Sequence, residues 1–183
     1  MTLGSIQVKD KQGGSDSKQQ MQQAVLITGS NQGDRAGNLA KAVRLLQSAG
    51  CELLAKSSVY ETAAWGNTDQ PGFLNQALLI GTSLQPDDLM KLILDTEHEM
   101  GRVRQQKWEP RIIDIDILFM GDRIISLPGL EVPHPHVSER RFALLPVCEL
   151  LPELIHPVSG KSVKKLLEEC DDQLAVHIFA PGT

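Results

Sequence analysis

The segment Arg111-Ile112-Ile113-Asp114-Ile115-Asp116-Ile117-Leu118-Phe119 constrains this chain more than any other. Branched apolar residues alternate with acids at a period of two, and an extended strand turns that period into two distinct faces. The spacing predicts a strand over Ile112 to Met120, with Ile113, Ile115, Ile117 and Phe119 facing a core. Asp114 and Asp116 then stand side by side on the opposite face. Neighbouring like charges repel, and Asp is a poor strand former, so something must compensate. One answer is a divalent cation such as magnesium, which takes a few carboxylate oxygens and completes its shell with water and phosphate. The other is a solvent-facing surface whose acids keep the protein soluble. Spacing alone does not choose between them.

The flanking pattern places that strand in a fold. Val25 to Thr28 is a β-prone run closed by Gly29-Ser30-Asn31, which reads as strand then turn. Leu39, Val43, Leu45 and Leu46 recur at helical spacing, with Asp34 or Asn38 as the starting cap and Gly50 as the terminal one. Cys51 to Tyr60 and Phe73 to Thr82 read as strands around a polar loop at 65–72, and Pro86-Asp87-Asp88 opens a helix carrying Leu89, Leu92, Ile93 and Met100 inward. Gly121-Asp122-Arg123 turns into a short strand at Ile124-Ile125. Helices are expected around Phe142–Leu151 and Val163–Cys170, with a last strand near Ala175–Phe179. Strand-helix-strand-strand-helix-strand is the order of an α+β, ferredoxin-like sandwich, a mainly antiparallel sheet with helices packed on it. The chain holds 183 residues, enough for one well-buried domain, expected over residues 24–183 behind a disordered Gln- and Ser-rich extension at 1–23.

Composition narrows the partners. A formal net charge of −5 argues against the broad basic surface that nucleic acids require. Cys51, Cys148 and Cys170 form no C-x-x-C pair, so reduced thiols and a cytoplasmic location are expected, not a disulfide framework or structural zinc. No apolar run approaches the ~18 residues of a membrane span. No secretory leader is evident at the start of the sequence.

Directly before the acidic pair lies Gly101-Arg102-Val103-Arg104-Gln105-Gln106-Lys107-Trp108-Glu109-Pro110-Arg111. Arg presents a planar fork of donors with a permanent charge, matched to phosphate oxygens. Gly101 permits a sharp exit from the preceding helix, and such a loop could close over a triphosphate, with Trp108 covering a flat ligand. A solvated basic loop paired to nearby acids is the alternative. Phe73 and Asn75 share one strand face, an aromatic beside a carboxamide, which suits a planar ring with amide-like edges. Phe in a strand is also commonly core. Further on, Pro133-His134-Pro135-His136 and Glu139-Arg140-Arg141-Phe142 add His, Arg and aromatic groups.

In order, Gly29-Ser30-Asn31-x-Gly33-Asp34, Asp69-Gln70-Pro71-x-Phe73-Leu74-Asn75, Gly101-Arg102-x-Arg104, Trp108-x-Pro110-Arg111-x-x-Asp114-x-Asp116, Pro133-His134-Pro135 and Glu139-Arg140-Arg141-Phe142 run from about Val25 to Pro157. This set resembles the hydroxymethyldihydropterin pyrophosphokinase family. The resemblance implies transfer of pyrophosphate from ATP to 6-hydroxymethyl-7,8-dihydropterin, with release of AMP, in folate biosynthesis. It implies that Asp114 and Asp116 hold two magnesium ions. Arg102, Arg104, Arg111, Trp108, Glu97, His134 and Arg140 would surround ATP, with Arg102 and Arg111 joining the two aspartates in catalysis. The pterin would lie between Phe73 and Phe142, with Asn75 on its edge and the Thr62 region contributing backbone groups. For Glu97, an exposed helix position is the competing reading. The stretch between Arg104 and Trp108 is one residue shorter than is common in the family, Gln105 stands where Lys is frequent, and Ala63-Ala64 stand where Pro is frequent. A monomeric, single-activity enzyme is expected.

Overall fold

Strand pairing around β1 (Gln22–Ser30) organises the molecule, described here from a computed structural model over residues 21–63, 72–102 and 110–180. β1 is flanked on both sides by antiparallel partners, β4 (Phe73–Thr82) and β5 (Asp114–Met120). The outer edge of β4 is shared by β2 (Glu52–Lys56) and β3 (Tyr60–Thr62), and β8 (Val176–Ile178) pairs with β3. The result is a six-stranded sheet ordered β5-β1-β4-β3-β8, with β2 beside β4. A separate hairpin joins β6 (Ile125–Leu127) to β7 (Leu130–Val132).

Both sheet faces are covered by helices. On one, Leu39, Ala42 and Leu46 of α1 (Arg35–Ser48) and Leu89 and Ile93 of α2 (Pro86–Glu99) pack on Leu26, Leu78, Ile113, Ile115 and Ile117. On the other, Ala143, Leu144 and Val147 of α3 (Arg141–Leu150) and Val163 and Leu166 of α4 (Val163–Glu168) cover Val25, Ile27, Ala77 and Phe119. Burial of this kind contributes about 25 cal/mol per Å² of apolar surface and makes the sheet a rigid platform. This is the expected α+β, ferredoxin-like architecture. Among the described residues no helix is long and apolar enough to cross a membrane.

Four details depart from the expectations. Phe119 does not share a face with the three isoleucines. The register slips between Val25 and Leu26, so that Leu26 pairs with Ile117 but Val25 with Phe119, leaving Leu118 as an extra residue. This β-bulge turns Phe119 to the α3 side, and Leu118 spends its free carbonyl on the His134 amide at 3.0 Å. The run Cys51–Tyr60 is two strands. Ser57 interrupts it, its Oγ accepting from the Ala77 amide at 3.0 Å in place of a regular ladder bond. β7 was not anticipated from the sequence. Finally, β1 begins inside the segment expected to be disordered, because Gln22 and Gln23 pair with Thr82 and Gly81; residues 1–20 lie outside the described ones.

Candidate active site

The site is assembled on the face that α3 and α4 leave uncovered at one end of the sheet. Gly29 pairs with Asp114 on one side and Asn75 on the other, so one row crosses three adjacent strands. Residues paired in register point to the same face, and alternation puts Asp116 and Phe73 there too. Gly29 forms the floor: a Cβ at that position would sit 3.2 Å from Asn75 Oδ1 and 3.8 Å from Phe73. A side chain there would crowd the space in front of the carboxamide.

Asp114 is the hub of the charged side. Arg102 Nη1 lies 2.6 Å from its Oδ1, and Arg111 Nη1 donates to its Oδ2. Arg102 also pairs with Glu97. Glu97 is not an exposed helix residue: it is only 3% exposed and accepts the Ile115 amide at 2.8 Å, fixing the start of β5. The bend that brings Arg102 back is a helix C-terminal turn, with Gly101 at φ +91° and the Arg102 amide donating to the Glu97 carbonyl. Gly101 thus gives the sharp exit its position suggested.

Asn31 is a participant that residue type alone did not reveal. Its Oδ1 accepts the Arg111 amide at 2.6 Å and its own amide donates to the Arg111 carbonyl at 3.0 Å. The Gly-Ser-Asn turn therefore clamps the backbone beneath Arg111. Its sequence signals are a carboxamide directly after a strand and its place in the Gly29-Ser30-Asn31 motif. Asn38, expected as a possible helix cap, instead braces this turn through Ser30 Oγ and the Gln32 carbonyl, while Asp34 caps α1 by accepting the Gly37 amide.

Three acids in so small a volume leave an electrostatic mark. The Asp116 carboxyl is pushed up to about 6, first by burial, then by the charges of Asp114 and Glu97, against the pull of Arg140 and Arg102. Burial also raises Glu97, opposed chiefly by Arg102. Asp116 therefore sits where positive charge is in short supply. Among the described residues no three His, Cys, Asp or Glu side chains gather to enclose a metal. Two hard carboxylates on one face fit magnesium, which leaves most of its shell to water and phosphate, and do not fit a closed zinc site.

His134 and Arg140 border this charge cluster. The His134 ring is pushed down to about 4 by burial, then by Arg140 and His136, so it is neutral at ordinary pH. Its Nδ1 accepts the His136 amide at 3.1 Å, which leaves Nε2–H as the donor. Arg140 lies 6.0 Å from the Phe142 ring centroid. On the uncharged side, Asn75 Nδ2 donates to Thr62 Oγ1 at 3.2 Å, while Phe73 and Phe142 remain partly exposed, unlike the buried Phe119. Arg104 and Trp108 lie outside the described residues.

The model of the family described as 7,8-dihydro-6-hydroxymethylpterin-pyrophosphokinase matches residues 25–152. A 2-amino-4-hydroxy-6-hydroxymethyldihydropteridine pyrophosphokinase of Methylorubrum extorquens is 42% identical over 152 residues, 82% of this chain and 95% of that protein. Its counterpart in Aquifex aeolicus is 43% identical over 141 residues, 77% of this chain and 88% of that one. Among solved structures, wild-type HPPK-DHPS of Plasmodium falciparum superposes with a TM-score of 0.66 at 17% identity, over 84% of this chain. This chain spans only 42% of that longer one, and at such identity the likeness concerns the fold. With the family model matching residues 25–152 and relatives of that activity 42% and 43% identical over most of their length, the chain belongs to the 7,8-dihydro-6-hydroxymethylpterin-pyrophosphokinase family.

Proposed function

We propose that the protein transfers the β,γ-pyrophosphate of ATP to the hydroxymethyl group of 6-hydroxymethyl-7,8-dihydropterin, as an enzyme of folate biosynthesis. A bond forms between the alcohol oxygen and the β-phosphorus, the bond from that phosphorus to the α,β-bridging oxygen breaks, and AMP and one proton depart. The observation carrying this reading is the row Asp114–Gly29–Asn75, which puts an acidic, arginine-flanked pole and a carboxamide pole on one face of three adjacent strands.

Asp114 and Asp116 would hold magnesium, which when bound supplies positive charge to the phosphates and acidity to the alcohol. Arg102 and Arg111, which both meet Asp114, would offer their remaining donors to the phosphate oxygens. Arg140 and the Nε2–H of neutral His134 would add donors at the same pole, and Arg104, Trp108 and Glu97 belong to the ATP side in this reading. At the other pole, Thr62 engages the Asn75 amide nitrogen and leaves the carbonyl oxygen above Gly29 to receive a ring N–H. Phe73 and Phe142 would cover the two faces of the ring. Such a site works mainly by positioning and by stabilising charge. Residues 24–183 would act as a single domain, in a monomer.

Purified protein given magnesium, ATP and the dihydropterin alcohol should yield AMP and the pyrophosphorylated pterin in equal amounts, and chelator should stop it. Production of ADP, or no product from folded protein, would overturn the assignment.

A further inference from the structure

Arg35 opens α1 directly after its Asp34 cap, at the end where the helix dipole disfavours a cation. A residue that breaks a local rule invites a search for what it gains elsewhere. Arg35 Nη1 lies 2.6 Å from Glu61 Oε1 and 2.6 Å from the Gly72 carbonyl. One donor nitrogen thus ties the end of β3 to the residue that leads into β4. The Phe179 ring, which follows β8, lies 5.8 Å from the guanidinium carbon and braces it from the other side.

What this clasp holds is the last rung of the β3–β4 ladder, where Thr62 pairs with Phe73. Gly72 packs so closely there that a Cβ would sit 2.6 Å from the Thr62 carbonyl. Thr62 in turn orients Asn75 through the 3.2 Å amide-to-hydroxyl bond. The clasp adds to the Asn75 bond and the β8 pairing at a rung that ends its ladder, and terminal rungs are the kind that fray first.

We propose that Arg35 is a positioning residue for the pterin: by tying Glu61 to the Gly72 carbonyl it fixes the Thr62–Phe73 rung and so aims Asn75 and Phe73 at the ring. The inference rests on the proposed activity and adds a residue that touches neither substrate. The charged pole on β5 is separated from the clasped β3–β4 rung by β1.

The test compares Arg35→Met, Arg35→Lys and Ser162→Ala with the parent protein, measuring KM for each substrate, kcat and thermal midpoint. Ser162 caps α4 by accepting the Lys165 amide and takes no part in the β3–β4 ladder, so its loss reports what instability alone does. Arg35→Met should raise the pterin KM between roughly tenfold and a hundredfold, leaving kcat and the ATP KM within about twofold. Arg35→Lys should recover part of that affinity, and Ser162→Ala should lower the midpoint without touching the pterin KM. An unchanged pterin KM in folded Arg35→Met, or equal losses for both substrates, would overturn the proposal. Should Arg35→Met fail to fold, Glu61→Gln, which keeps the bond to Gly72, should raise the pterin KM by roughly two- to fivefold; no rise would overturn the proposal. A parent protein that makes no pyrophosphorylated pterin would instead sink the activity on which it rests.

Discussion

Replacing Asp116 by Asn should make the protein more stable and nearly inactive at once. The carboxyl ionises at about 6 in the fold against an ordinary 3.8, so the folded state holds its proton more tightly than the unfolded chain does. Ionisation therefore works against folding: stability is full below the ordinary value and falls as pH rises through about 6. Lifting the group from 3.8 to about 6 corresponds to about 3 kcal/mol. Partial contact with water makes that an upper bound. Asn carries no charge and avoids the cost, so at about pH 8, in chelator, it should gain up to about 3 kcal/mol, or roughly 6 to 10 °C in midpoint. Near pH ~3, below the ordinary value, the two proteins should unfold alike, since the aspartate is then mostly neutral in the folded and the unfolded chain. Turnover should fall at least a hundredfold or so, because a carboxamide is a poor magnesium ligand. Urea unfolding at the two pH values, beside an AMP assay, measures both arms. An Asn variant less stable at the higher pH, or a stability gap independent of pH, would refute the electrostatic reasoning.

Glu97→Ala strands the Ile115 amide and removes a partner of Arg102, and should cost about 3 to 4 kcal/mol in urea unfolding; Glu97→Gln, which keeps an acceptor, should cost about half as much. Gly29→Ala places a methyl 3.2 Å from Asn75 Oδ1 and should raise the pterin KM about tenfold while sparing the ATP KM, by steady-state kinetics. Tyr60, the chain's single tyrosine, donates to Glu149 at 2.7 Å and is pushed up to about 12, first by burial and then by that hydrogen bond and charge. The stability it lends holds below its ordinary value of 10.0 and is lost as pH climbs through about 12; ultraviolet titration should find no tyrosinate in the folded protein near pH ~10.

Sequence reasoning succeeded where a residue's role follows from its immediate neighbours. The alternation around Asp114 and Asp116 required a strand with both acids on one face, and the same rule paired Phe73 with Asn75. Pro86 and the two aspartates after it marked the start of α2 because an unpaired first turn welcomes them. The misses are long-range. The bulge at Leu118 depends on how β1 meets β5, and the break at Ser57 depends on the Ala77 amide being there to take its hydroxyl. Glu97 was marked only by the resemblance, and its hold on the Ile115 amide depends on how β5 meets α2. Asn31 and Arg35 act on partners 80 and 26 residues away, and no local pattern records such a meeting.

The bond ladder beside Gly29 also works as a ruler. Asp114 and Asn75 are separated by two interstrand steps, about 10 Å in all, a length fixed by backbone hydrogen bonding and not by any side chain. Changes in the loops can alter how fast ligands enter or how well they are sheltered. They leave untouched the gap between the two poles, so a compound with a different reach between its flat end and its anionic end would meet a mismatch that surface evolution cannot correct.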